Sequence, residues 1–137
     1  MVRNHGIPKA FEVDATFAAD RKIGQLVRVK PNGKITNVLG ESNLLFFPLV
    51  EDVNIVDVLD ANLKTQQAGV TVVGVAKVYV ETASGITAGV EVGVGTTGIG
   101  CAIQGTGYKL GIALSTPKGD GDFIEVLLTP NSPSSTY

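Results

Sequence analysis

The chain has no tryptophan, one cysteine, one histidine and one methionine in 137 residues. A single cysteine, Cys101, excludes an internal disulfide and a cysteine metal cluster. With only His5 beside it, zinc sites and histidine-based triads are excluded on counting. Neither sign of charge dominates: 11 basic against 13 acidic residues leave a net charge of -2 and a pI near 5.3. The basic residues are scattered rather than gathered in a stripe, which argues against a nucleic-acid partner. Long apolar runs are missing too. The longest, Leu44–Val50, contains Pro48 and is too short to span a bilayer. The opening MVRNHGIPKAF has no apolar core of a secretory signal, so the expectation is a soluble protein made in a cytosol, with no membrane partner.

What the chain does have is glycine, 17 in all, with 44% apolar and 18% charged residues, a globular composition. From Gly74 to Leu128 short runs alternate apolar with small or polar residues between glycine-rich turns. Val75, Val78 and Val80, then Val90, Val92 and Val94, then Ile112 and Leu114, then Ile124, Val126 and Leu128 are the apolar members. A period of two predicts half-buried strands and leaves no room for a helix. The predicted fold is all-β: a small barrel or sandwich of short strands joined by glycine-rich hairpins.

Residues 1–10 lack periodicity and read as an N-terminal arm that a partner would order. Phe11, Val13 and Ala15 alternate with Glu12 and Asp14 as a first strand. After Gly24, Leu26 and Arg28 face one way and Val27 and Val29 the other. Pro31-Asn32-Gly33 predicts a hairpin, because Asn-Gly tolerates the positive φ of tight turns. Pro48 cannot donate to a ladder, so Leu44–Val50 is an edge strand or one that ends at the proline. In residues 51–64 the spacing of Val53, Val56, Leu59 and Leu63 predicts a short helix with Asp52 as its cap, the alternative being a strand over NIVDVL. The strand pattern then runs to Leu128, and residues 129–137 read as a loose Pro/Ser-rich tail.

The chain also echoes itself. A shift of 65 residues lays Gly24, Val27, Val29, Gly33 and Gly40 on Gly89, Val92, Val94, Gly98 and Gly105. VRVKPNGKITNV then falls on VGVGTTGIGCAI and NLLFFPLV on YKLGIALS, while VTVVGVA resembles FIEVLL. This predicts one β unit used twice within a single domain over residues 11–128, with about residues 51–65 inserted in the first copy.

Motifs that carry chemistry do not survive their context. Gly93–Gly98 spells G-x-G-x-x-G, but IGCAIQGTG after it cannot be the helix a dinucleotide site requires. Asp120 and Asp122 alternate as in a calcium loop that lacks its closing glutamate, and a polar turn is the expectation. Cys101 has no base or cation beside it in sequence and reads as a buried small residue. Asp57 with Asp60, and Glu51 with Asp52, read as solvated surface. No enzyme and no cofactor is expected. Leu44, Leu45, Phe46 and Phe47 have two readings: aromatic core that the glycine-rich strands lack, or a surface packed on another subunit.

Taken together, Gly74–Val78 (G-V-x-K-V), Ile86–Val92 (I-T-A-G-x-x-V), the hairpin Gly95–Ile103, Gly111–Leu114 (G-I-A-L) and Ile124–Leu128 (I-x-V-L-L) resemble the C-terminal half of small decoration, or cement, proteins of tailed-phage capsids. FEVDATFAADRKIGQLVRVKPNGKI is similar to that family's opening strand and hairpin, and the departure is residues 44–65. The resemblance implies a β-rich protein that binds the outside of an assembled head, partners the major capsid protein and clusters as a homotrimer. On this reading the capsid or subunit contacts are Val2, Arg3, Asn4, His5 and Ile7 of the arm, with Leu44, Leu45, Phe46, Phe47, Val56 and Leu59. The alternative is a receptor- or glycan-binding module displayed on a virion; lack of tryptophan and few tyrosines count against it.

Overall fold

The computed structural model describes residues 4–38, 46–54, 66–103, 107–129 and 133–134. Among them there is no helix. The strands are β1 (Ile7–Glu12), β2 (Leu26–Val29), β3 (Ile35–Thr36), β4 (Phe46–Pro48), β5 (Gln67–Tyr79), β6 (Glu91–Val94), β7 (Cys101–Ala102), β8 (Gly107–Ala113), β9 (Phe123–Leu128) and β10 (Pro133–Ser134). The chain is all-β, as its alternation requires. Gly33 and Gly98 stand at positive φ (82° and 75°) in the β2–β3 and β6–β7 hairpins, where a side chain would be strained. The second of these hairpins is the G-x-G-x-x-G stretch, so that motif is a turn.

The strands pair in the order β1-β5-β9-β8-β6-β7, beside a small sheet β3-β2-β4. Single bridges curl both into rings. Val80 pairs with Cys101, bringing β7 back to the end of β5, while Leu49 pairs with Val70 and Val13 with Ile35, joining β4 to β5 and β3 to the end of β1. One ring therefore runs β1-β5-β4-β2-β3 and the other β5-β9-β8-β6-β7, each returning to its first strand. The topology is the same. The first half of β5 ends one unit and its second half begins the next.

The main-chain hydrogen bonds repeat along with the strands. Val13 N–H donates to Gln66 (2.8 Å) as Val80 does to Asp122 (2.8 Å), and Asp14 to Ile35 (2.8 Å) as Glu81 to Cys101 (2.9 Å). Gln25 donates to Lys22 (3.0 Å) as Val90 to Thr87 (3.1 Å), and Val50 to Gly69 (3.0 Å) as Leu114 to Glu125 (2.7 Å). The echo in the sequence is thus a repeat in the fold, with Leu26–Val29 lying on Glu91–Val94. The sequence reading missed one part of it: β1 itself recurs as the second half of β5.

Each unit has its own core, and the two correspond position by position. The first holds Val13, Phe17, Val27, Ile35, Leu49, Ala68 and Val70, with Phe11 and Phe47 partly buried against them. The second holds Val80, Ile86, Val92, Cys101, Ala113, Ile124 and Val126, with Val78 in the place of Phe11. Gly111 stands where the first unit has Phe47, since these are the partners of Val92 and Val27. At five of these positions the second unit has the smaller residue, Val78 for Phe11, Ile86 for Phe17, Gly111 for Phe47, Ala113 for Leu49 and Cys101 for Ile35, and at one the larger, Ile124 for Ala68. Interiors pack to crystal-like density, so that volume must come from elsewhere. It comes from the first unit. Leu26 (0% exposed) and Phe46 (3%), turned away from their own core by the strand period, complete the second.

Several expectations are corrected. The first strand is Ile7–Glu12, not Phe11–Ala15, and residues 4–10 are no free arm. β1 pairs along its length with Gln67–Val73, His5 N–H donates to Val75 (2.8 Å), and Asn4 Oδ1 accepts from Lys77 N–H (2.6 Å). Phe46 lies in the interior, as the core reading has it, and Phe47 is half-buried, stacked on Phe11 at 6.5 Å between centroids. β4 does end at Pro48. The start of the expected helix is extended: Val53 pairs with Arg21, and Asp52 accepts from Ile23 N–H (2.8 Å) instead of capping. The rest of that helix lies outside the described residues. Within the stretch read as a loose tail, Pro133 and Ser134 pair with Tyr108 and Gly107.

Candidate contact face

The polar side chains singled out in the sequence are engaged in holding loops. Asp120 accepts from Ala83 N–H (2.8 Å) and Asp122 from Lys118 N–H (2.9 Å). Hydrogen bonds from the Lys118 and Phe123 amides keep the Asp122 carboxyl below the usual range. Glu51 accepts from Gly69 N–H (2.7 Å). Cys101 is fully buried, and burial, with a smaller push from Glu81, raises its thiol to about 12. Among the described residues no three His, Cys, Asp or Glu side chains are grouped to hold a metal ion.

Two carboxylates that sequence reasoning passed over hold the hairpins, one in each unit. Asp14, just past β1, accepts from the Thr16 amide (2.9 Å) and hydroxyl (2.7 Å), from Asn32 Nδ2 (2.9 Å) and from Lys30 Nζ (3.3 Å). Burial opposes its ionisation, but the hydrogen bonds from Asn32, Thr16 and Lys30 outweigh it and hold the carboxyl well below the carboxylate range. Glu81, its counterpart just past β5, accepts from Thr97 N–H (2.9 Å) in the second hairpin. The signal was available: an acid follows the repeated strand in both units, and Asn32 and Thr97 fall together in the echo.

Among the described residues an extended apolar feature lies on the outer face of β8, β9 and β5 with the start of β1. Leu127 (40% exposed) pairs with Val75 on β5 and Ile112 on β8. Two residues along the strands, and so on the same face, come Val73 (56%) and Leu114 (45%). Ile7 (63%) pairs with Val73. Charges border the strip: Lys109 and Glu91 form an ion pair at 3.0 Å, and Lys77 lies 4.4 Å above the Phe123 ring. Of the residues assigned from sequence to contacts, Asn4, His5 and Ile7 come to this face and are exposed. Phe46 and Phe47 do not, and Val2, Arg3, Leu44, Leu45, Val56 and Leu59 lie outside the described residues. Val73, Ile112, Leu114 and Leu127 were not singled out from sequence. In the sequence they look like ordinary strand residues, and nothing local distinguishes a solvent face from a buried one.

The aromatics described are turned toward one another or inward. Tyr79 meets Phe123 edge-on at 5.8 Å, Tyr108 lies 6.5 Å from Phe46, and Phe17 is 1% exposed. Among the described residues no aromatic is more than half-exposed. Comparison of the chain with protein-family models, with curated proteins and with solved structures finds no match.

Proposed function

We propose that this chain is a structural virion protein that binds the outer surface of an assembled tailed-phage capsid and stabilises it as a decoration, or cement, protein. The observation that carries the reading beyond the sequence resemblance is the exposed end of β1. Ile7, Pro8, Lys9 and Ala10 are all exposed and are held rigidly by pairing to β5 on one side. A rigid strand with an apolar tip loses little entropy on docking, which suits an adhesive whose many copies on a symmetric shell each contribute modestly. The partner is the major capsid protein, the site of action the outer capsid surface, and the site of synthesis the host cytoplasm. Copies cluster on the shell, as trimers in the arrangement the resemblance implies. The inward-turned aromatics give no support to a displayed glycan-binding module.

The test is co-sedimentation of the purified protein with head shells stripped of it, unexpanded and expanded. Saturable binding at a fixed ratio to the major capsid subunit is expected, weakened by Ile7→Glu. No pelleting of folded protein with either shell would refute the proposal.

A further inference from the structure

The first hairpin carries an asparagine directly before a glycine, Asn32-Gly33, and the chain has no other such pair. Glycine has no side chain to shield its own main-chain nitrogen, so that nitrogen can reach the preceding carboxamide carbon more easily than in any other residue. At Gly33 nothing lies within 4 Å of where a side chain would start, and both residues are exposed to water and base. Three hydrogen bonds oppose the encounter. Gly33 N–H donates to Lys30 O (2.9 Å), Asn32 Nδ2 donates to Asp14 Oδ2 (2.9 Å), and Asn32 Oδ1 accepts from Lys34 N–H (2.9 Å). Nucleophile and carboxamide are thus tied to different partners. Asp14 is the side chain among those partners, and it is itself fixed: 7% exposed, and bonded also to Thr16 and Lys30.

We infer that Asn32 is a site of spontaneous deamidation, held closed in the folded chain by Asp14. In the step, solvent base takes the Gly33 amide proton and the Gly33 nitrogen attacks Asn32 Cγ. The new N–Cγ bond closes an imide ring, the Cγ–Nδ2 bond breaks, and ammonia leaves carrying a proton from water. Water then opens the ring at one or other carbonyl, leaving aspartate or isoaspartate at position 32. The product does not restore what held it. A carboxylate now faces Asp14 where Nδ2 donated, while Lys30 already serves Asp14 (3.3 Å) and Lys34 serves Glu12 (3.5 Å). Deamidation therefore loosens the β2–β3 hairpin, and the first unit with it, irreversibly. The second unit builds the same turn without the susceptible pair. Gly98 takes the place of Gly33, Thr97 precedes it, and Glu81 holds that hairpin through the Thr97 N–H (2.9 Å).

Peptide mapping by mass spectrometry after incubation at mildly alkaline pH tests this on three samples: native wild type, wild type unfolded in guanidinium, and native Asp14→Ala. The unfolded chain should deamidate at Asn32 at least about tenfold faster than the native one, equivalent to about 1.4 kcal/mol, in line with loss of a hydrogen bond to a charged group. Asp14→Ala, its circular dichroism spectrum retained, should move most of the way to the unfolded rate. Deamidated wild type, separated by charge, should unfold at lower urea concentration than the amide form, and Asn32→Thr, which takes the second unit's residue, should not age. Equal rates in native and unfolded wild type would overturn the inference, and that comparison needs no variant to fold. So would a folded Asp14→Ala no faster than wild type, or deamidated protein as stable as the amide form.

Discussion

Replacing Phe46 by alanine tests the claim that the second core is completed by the first unit. Phe46 is 3% exposed, and it belongs to the buried cluster that contains Ala76, Val78, Leu110 and Ala113 rather than to the core of its own unit. Losing a buried phenylalanine forfeits its transfer free energy and leaves a cavity, together about 3–5 kcal/mol. The upper part of that range is expected, because this core is rich in small residues such as Ala76, Cys101 and Ala113, which cannot reach into the space. Equilibrium unfolding in urea, with an unchanged slope, measures the total. Hydrogen exchange locates it: amides of β6, β8 and β9 should lose more protection than those of β2 and β3, although Phe46 belongs to the β2–β4 sheet. A cost below about 1.5 kcal/mol, or exchange loosened only in β2 and β3, would refute the reasoning. Phe17→Ala is the mirror experiment, and should loosen the first unit.

Two further outcomes are expected. Asp14 has its carboxyl held low in the folded state, so its contribution is complete above about pH 4 and is lost as pH falls through the folded value. The stability advantage of the wild type over Asp14→Asn should be constant near neutrality and shrink by about 1.4 kcal/mol per pH unit below about pH 4; a gap that is flat down to pH 2.5 would contradict the assigned hydrogen bonds. Cys101, fully buried with its thiol raised to about 12, should resist a thiol-specific reagent at pH 8 in native buffer and react at once in denaturant. Rapid native labelling would show that the second core opens locally.

The strands and hairpins were legible because their causes are local. Gly33 and Gly98 occupy the turns their conformational freedom suits, and Leu26 and Val27 point to opposite sides as the period demands. The N-terminal stretch was misread for a physical reason: Ile7–Ala10 have no alternating pattern because every one of them is exposed, and what orders them is main-chain pairing to β5. Main-chain hydrogen bonds leave little trace in side-chain pattern. The exposed apolar face was legible only in part. Asn4, His5 and Ile7 were named from sequence, but Leu127 and Ile112 carry the same letters as core strand residues.

By itself the sequence determined an all-β chain, the places of its tight turns and the fact that one unit is used twice. Tertiary structure alone decided which partner each face meets. Period two states that neighbours on a strand point apart, but not what lies on either side. On β2 and β4 both sides are protein, a separate core each way, so alternation gave no hint that Phe46 belongs to the second unit. On β8 and β9 the same alternation leaves one side to solvent. The 13 residues of β5 form one unbroken strand in sequence, and only pairing with β1 along one half and β9 along the other divides it between two units. Such contacts join residues far apart in the chain, and their energy depends on closure of the rings, which no local window contains.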